Sequence, residues 1–151
     1  MALSRLETLC ARAERCRYEL EQKLRLWGIS PSDRDRILEC LERGRYFDDS
    51  RFAAAFTRDK ALYARWGRLK IEAALRLKRI SSADIADAAG ELDEDEYRSA
   101  MLDALAAKAR SIKEGDTYEG RTKLYRFGLS RGYEPALVAA AIRTHLPFRE
   151  G

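Results

Sequence analysis

The residues with the most chemistry to offer are cations interleaved with aromatic rings. Between Arg58 and Arg79 lie eight basic side chains (Arg58, Lys60, Arg65, Arg68, Lys70, Arg76, Lys78 and Arg79) against only Asp59 and Glu72. Tyr63 and Trp66 stand among them. A second window, Arg121 to Arg131, holds Arg121, Lys123, Arg126 and Arg131 with no acid, and Tyr125 and Phe127 in between. Such sets suit a polyanion: cations displace condensed counterions from phosphates, and rings stack on bases or lie beneath arginine planes. Solvated helical faces over an aromatic core would write the same pattern. The binding set expected from charge is Arg65, Arg68, Lys70, Arg76, Lys78, Arg79, Lys123, Arg126 and Arg131.

Other chemistry finds little support. The chain has no G-x-x-x-x-G-K-S/T, G-x-G-x-x-G, G-x-S-x-G or H-E-x-x-H. His145 is the only histidine and lies just before Pro147, where a helix C-terminal cap is its ordinary role. Cys10, Cys16 and Cys40 are odd in number and never at C-x-x-C spacing, so reduced, packed thiols are expected, not disulfides or zinc. No catalytic residue, metal or cofactor is expected, and the chain does not read as an enzyme.

At 151 residues the chain is one domain or a short run of small repeats. With 36% charged and 46% hydrophobic residues it is too apolar for disorder and too charged for a membrane protein. No apolar run reaches the ~18 residues of a membrane span, and the first residues lack a signal-peptide core. A soluble, cytoplasmic protein is expected. The net charge of +4 is unevenly spread: residues 1–44 carry 9 basic and 8 acidic side chains, residues 45–90 carry 10 and 6, and residues 91–151 carry 10 and 11.

Helices must position these groups. Apolar residues recur at helical spacing (Leu3, Leu6, Cys10, Ala13; Phe52, Phe56, Tyr63; Leu137, Val138, Ala141, Ile142), and no segment alternates like a strand. Start signals are Ser4-Arg5-Leu6-Glu7 as a capping box, Ser30-Pro31, Asp48-Asp49-Ser50, Ser81 or Ser82, the acids Asp93–Glu96, and Pro135. Stop signals are Gly28, Gly44, Trp66-Gly67, Gly90 and Gly132, with a long helix running to Lys113 and a turn at Gly115-Asp116. About nine helices result.

A pattern repeats among them. Leu20, Leu24, Gly28, Ile29 is echoed 51 residues later by Ile71, Leu75, Arg79, Ile80, and 53 residues after that by Leu124, Gly128, Gly132, Tyr133. The fold expected is all-α: three tandem three-helix repeats, residues 1–44, 45–90 and 91–151, in an elongated, curved array.

These residues resemble a known family. Tyr46-Phe47-Asp48-Asp49-Ser50-Arg51-Phe52-Ala53 is similar to the Tyr-(Ile/Leu/Phe)-Asp-Asp-x-Arg-(Phe/Tyr)-Ala segment of the RecX family, small regulators of the RecA recombinase. Gly67-Arg68-Leu69-Lys70-Ile71 with Leu75 resembles the family's glycine segment. Arg12, Glu14, Glu19-Leu20, Lys23-Leu24 and Gly28 resemble its first repeat, and Lys123, Arg126-Phe127 and Arg131-Gly132-Tyr133 its third. Three departures stand out: Cys16 where a capping Ser is usual, Arg79 for Gly, and Gly128 for Leu.

The resemblance implies three three-helix repeats and no catalytic residues. It also implies binding to the RecA–single-stranded DNA filament, with damping of ATP hydrolysis, strand exchange and co-protease activity; weak binding to duplex DNA is a further expectation. The partners expected are the RecA filament and single-stranded DNA, with no membrane, and the protein is expected to be a monomer. The motif residues Tyr46, Phe47, Asp48, Asp49, Arg51, Phe52 and Gly67 read as structural: either aspartate caps the helix carrying Phe52, and Tyr46 or Phe47 staples it. Two other readings remain open. One is a helix-turn-helix DNA-binding protein with Leu69–Ile80 as recognition helix; the other is a helical-repeat scaffold for proteins alone.

Overall fold

The structure, a computed structural model, describes residues Met1–Arg149. It is all-α and helical-repeat in architecture. Among the described residues ten helices run in order: α1 Ala2–Arg12, α2 Arg17–Leu26, α3 Pro31–Arg43, α4 Asp49–Leu62, α5 Arg68–Leu77, α6 Ser82–Gly90, α7 Glu94–Ala109, α8 Tyr118–Ser130, α9 Pro135–Arg143 and α10 Leu146–Arg149. No strand occurs among the described residues.

Most caps fall where the sequence places them. The side chains of Ser30, Ser81 and Asp93 each accept an amide proton three residues on, at 3.4, 3.1 and 2.9 Å, and Thr117, which is not among the start signals, does the same at 3.1 Å. Three positions differ. Helix α1 begins a turn before Ser4, drawn forward by Ala2 and Leu3 packing on the core, and the Ser4 hydroxyl donates back to the Met1 carbonyl (3.1 Å). Helix α7 stops at Ala109, not Lys113. Beyond it the amides of Ser111 and Ile112 close tighter turns onto Lys108 and Ala109, and the Ser111 hydroxyl takes the Lys108 carbonyl. Gly44 keeps φ −80, and Arg45 takes the left-handed conformation (φ 57); the glycine leaves room for the Tyr46 ring, which a Cβ would meet at 2.9 Å.

The repeat in sequence is a repeat in geometry. Gly28, Arg79 and Gly132 all have positive φ (74, 58 and 91). The amide that follows each bonds a carbonyl five residues back: Ile29 to Leu24, Ile80 to Leu75, Tyr133 to Gly128, at 3.0, 3.1 and 3.1 Å. The same left-handed stop thus closes α2, α5 and α8. Arg79 makes it without glycine, against a steric cost of about 1 kcal/mol or more for a side chain there. Its guanidinium lies over the Tyr18 ring, 5.3 Å from the centroid. Replacing Arg79 with Gly is expected to stabilise the protein by about 0.5–1 kcal/mol, read as a higher urea midpoint. A lower midpoint would mean that the Tyr18 contact outweighs the backbone strain.

The chain packs into two compact units. One comprises Met1–Phe56 and Leu75–Ala88; the other comprises Thr57–Ala74 and the chain from Ala89 onward. Helices α4 and α5 therefore contribute to both. In the first unit, Leu6, Leu20, Leu24, Leu38, Leu41 and Phe47 form one buried cluster. In the second, α7 supplies Tyr97, Met101, Leu105 and four buried alanines against Leu124, Val138 and Ile142. Tyr63, counted in an apolar stripe, is instead 78% exposed.

Gly128 explains its own departure. A Cβ there would meet the buried Val138 side chain at 2.7 Å, so the absent side chain is what lets α8 lie close to α9.

The Asp-Asp motif divides its labour in the first unit. Asp48 caps its own helix, accepting from the amides of Ser50 (2.8 Å) and Arg51 (3.1 Å). Asp49 accepts instead from the Arg17 amide (2.8 Å), at the first position of α2. There Cys16 is the N-cap, and Glu19 reaches back to its amide (3.4 Å). Arg51 Nε donates to both carboxylate oxygens of Glu14, at 2.9 and 2.8 Å. Phe47 and Phe52 are buried. Burial raises the Asp49 carboxyl above its ordinary value, so the site needs an acceptor more than a charge. Asp49→Asn should therefore leave stability within about 0.5 kcal/mol. Asp49→Ala, which strands the Arg17 amide, should cost about 1–2 kcal/mol by chemical denaturation.

Candidate nucleic-acid interface

The N-terminus of α5 leaves backbone amides with no partner inside the helix. In the second unit they find partners outside it. Gly67 N–H donates to the Arg131 carbonyl (2.7 Å), Leu69 N–H to the Gly132 carbonyl (3.0 Å) and Arg68 N–H to the Tyr97 hydroxyl (2.9 Å). The carbonyls belong to the C-terminal end of α8, so the donors of one helix and the acceptors of another, with opposed dipole ends, satisfy each other. Gly67 makes the approach possible, since a Cβ there would lie 2.1 Å from the Gly132 carbonyl carbon.

Two cations of the expected binding set are absorbed by this junction. The Arg68 guanidinium stacks on the Tyr97 ring (3.9 Å), pairs with Glu134 (2.8 Å) and binds Glu94. Tyr97 in turn donates to Glu134 (2.5 Å); burial and that bond push its phenol above the ordinary range. Arg131 donates to the carbonyls of Ala64 and Arg65, just past the end of α4. Both arginines thus have their donors directed into the fold.

The remaining cations fall in different settings. In the second unit, Lys70 and Lys60 flank the Trp66 ring at 4.4 and 4.7 Å, and Arg65 approaches Asp103 at 3.9 Å. In the first unit, Lys78 pairs with Glu19 (2.9 Å), Arg79 covers Tyr18, and Arg76 is exposed on α5. Lys123 and Arg126 do converge, with two residues that the charge windows passed over.

That convergence is an open groove of about 660 Å³ between the C-terminal end of α7, the loop after it and one face of α8. Lys108, Lys113, Lys123 and Arg126 line it, with Glu114 as the one acid. Lys108 lies over the Phe127 ring (5.6 Å), and Lys123 binds Glu114. Lys113 and Arg126 are exposed and carry no ion pair among the described residues. Lys108 and Lys113 lie outside both charge windows, in a segment (91–151) whose 10 basic and 11 acidic side chains balance overall. The signal that would have found them is their place around a helix C-terminus, where cations gather.

The described residues offer little else chemically. No cluster of three or more His, Cys, Asp or Glu side chains among them is placed to hold a metal ion. Burial pushes the Cys16 thiol up to about 11, which fits a capping group and not a nucleophile. Cys40, expected to be packed, is exposed. None of the described helices is long and apolar enough to cross a membrane.

Comparison with known proteins bears on this geometry. Residues 48–88 match the family model described as RecX, second three-helix domain. The chain is 30% identical over 125 residues to the regulatory protein RecX of Pelodictyon phaeoclathratiforme, covering 83% of this chain and 76% of that protein. It is 34% identical over 120 residues to the regulatory protein RecX of Clostridium perfringens (strain 13 / Type A), covering 77% and 55%. It spans 61% of the length of the Clostridium botulinum (strain Eklund 17B / Type B) relative, to which it is 27% identical. The crystal structure of RecX from Lactobacillus salivarius superposes with a TM-score of 0.77 at 20% identity, over 95% of this chain and 96% of that one. That last likeness is one of fold.

Proposed function

Because this chain belongs to the RecX family of regulatory proteins, we propose that it regulates the RecA recombinase without catalysing a reaction itself. In this reading it acts in the cytoplasm as a monomer of three tandem repeats (residues 1–44, 45–90 and 91–151). It binds the RecA–single-stranded DNA filament and inhibits ATP hydrolysis, strand exchange and co-protease activity. The observation that carries the reading is the α7–α8 groove, where four cations surround one acid and two of them have no ion pair among the described residues. A phosphate chain fits that arrangement, because each neutralised phosphate releases counterions. Arg65, Lys70, Arg76, Lys78 and Arg79 supply further positive surface; Arg68 and Arg131 act on the fold. Duplex readout through α5 is less favoured, because the helix has no Asn or Gln to read adenine and Arg68 is bound internally.

Co-sedimentation with filaments assembled on poly(dT) tests this. The protein should pellet with the filament at low salt and leave it as salt rises. A protein that stays in the supernatant at every salt concentration would overturn the reading.

A further inference from the structure

Helix α8 carries a second groove, on the face turned toward α9, and its chemistry differs from the first. Its volume is about 470 Å³, within the usual range for small-ligand sites. Tyr118 and Tyr125, seven residues apart, stand along one side, and Ala139 and Ile142 line it from α9. Tyr118 is 80% exposed, a large ring held in water at the start of a helix. Arg121 is held by Asp116 at 2.9 Å, which also receives His145 at 2.7 Å. Arg143, on the α9 side, is exposed and has no acidic partner among the described residues.

We propose that this groove binds an unstacked base of single-stranded nucleic acid while the strand's phosphates follow the basic groove on the neighbouring face of α8. The exposed Tyr118 ring and the half-buried Tyr125 ring offer π-faces to any base, and the exposed Arg143 beside them can stack or meet a phosphate. The apolar lining accepts a desolvated ring edge. The inference rests on the reading of the α7–α8 groove as a phosphate track, and it adds what that groove lacks: a contact that depends on the presence of bases.

The test compares a dT oligonucleotide with an abasic strand of the same length, by fluorescence anisotropy without RecA. Phosphates are equal in the two; bases are not. The wild-type protein should prefer dT by about tenfold or more, since one stacked base accounts for that much. Both strands should have the same salt slope. Tyr118→Ala/Tyr125→Ala should bind dT no better than the abasic strand, whereas Tyr118→Phe/Tyr125→Phe should keep the preference. Lys113→Glu/Arg126→Glu should weaken both strands alike.

Equal wild-type affinity for the two strands would overturn the base site while leaving the phosphate track standing. Binding to neither strand at low salt would overturn both. If the alanine pair keeps the preference for dT but no longer inhibits RecA, the groove holds a side chain of the partner protein and the proposal fails.

Discussion

Gly67→Ala should destabilise the second unit by more than about 3 kcal/mol, a large share of the stability of a domain this size. The added Cβ would sit 2.1 Å from the Gly132 carbonyl carbon and 2.2 Å from the Tyr133 amide nitrogen. Both are backbone atoms that cannot rotate away. The two helix ends must separate, which breaks the Gly67–Arg131 and Leu69–Gly132 hydrogen bonds and strands the amide of the buried Gly67. Arg68 then loses its seat over Tyr97. Gly90→Ala is the matched control: a Cβ there meets nothing within 4 Å, and alanine is the better helix former. Urea unfolding followed by circular dichroism should show the Gly67 midpoint collapsing while the Gly90 midpoint holds or rises. A Gly67→Ala protein with a wild-type midpoint would contradict the junction between α5 and α8.

The second large effect is on binding. Lys113→Glu/Arg126→Glu turns a groove of four cations and one acid into one of two cations and three acids. Four phosphate contacts predict a log–log salt slope of about −3 for single strands, at roughly −0.7 per contact. The double reversal should flatten that slope toward −1 and weaken binding by two orders of magnitude or more at low salt, on the order of 3 kcal/mol. Neither residue has an ion pair among the described residues, so the melting temperature should barely move. Arg12→Glu/Arg43→Glu, also exposed and outside the groove, makes the same change in net charge and should cost far less. Equal losses from both pairs would mean general attraction and not a site. An unchanged slope in the Lys113/Arg126 variant would remove the groove from the interface.

Features encoded within one helix were legible in the chain. Ser30 with Pro31, Asp93 with its following acids, and Gly28 mark ends by local chemistry, and the structure places the ends there. Arg79 could be aligned with Gly28 and Gly132 from spacing alone, although its left-handed φ could not be read from its type. What stayed hidden were partners distant in sequence. Asp48 and Asp49 are adjacent and chemically alike, yet one caps its own helix and the other a helix 32 residues earlier.

The same holds for charge. Arg68 and Arg131 look like members of basic runs because the groups that bind them, Glu94, Glu134 and the carbonyls of Ala64 and Arg65, lie 26 to 67 residues away. Arg126, from the same kind of run, and Lys113, from outside both windows, carry no ion pair among the described residues. A count of cations along the chain measures supply. Only the fold reveals which of them remain available.

The most direct measurement of the central claim is RecA's ATP hydrolysis on poly(dT), titrated with this protein and with its Lys113→Glu/Arg126→Glu variant. The wild-type protein should lower the rate in a saturable way. The variant, folded to the same melting temperature, should need at least tenfold more protein for the same effect. A rate that the wild-type protein leaves unchanged at saturation, or that the two proteins lower identically, would contradict the claim.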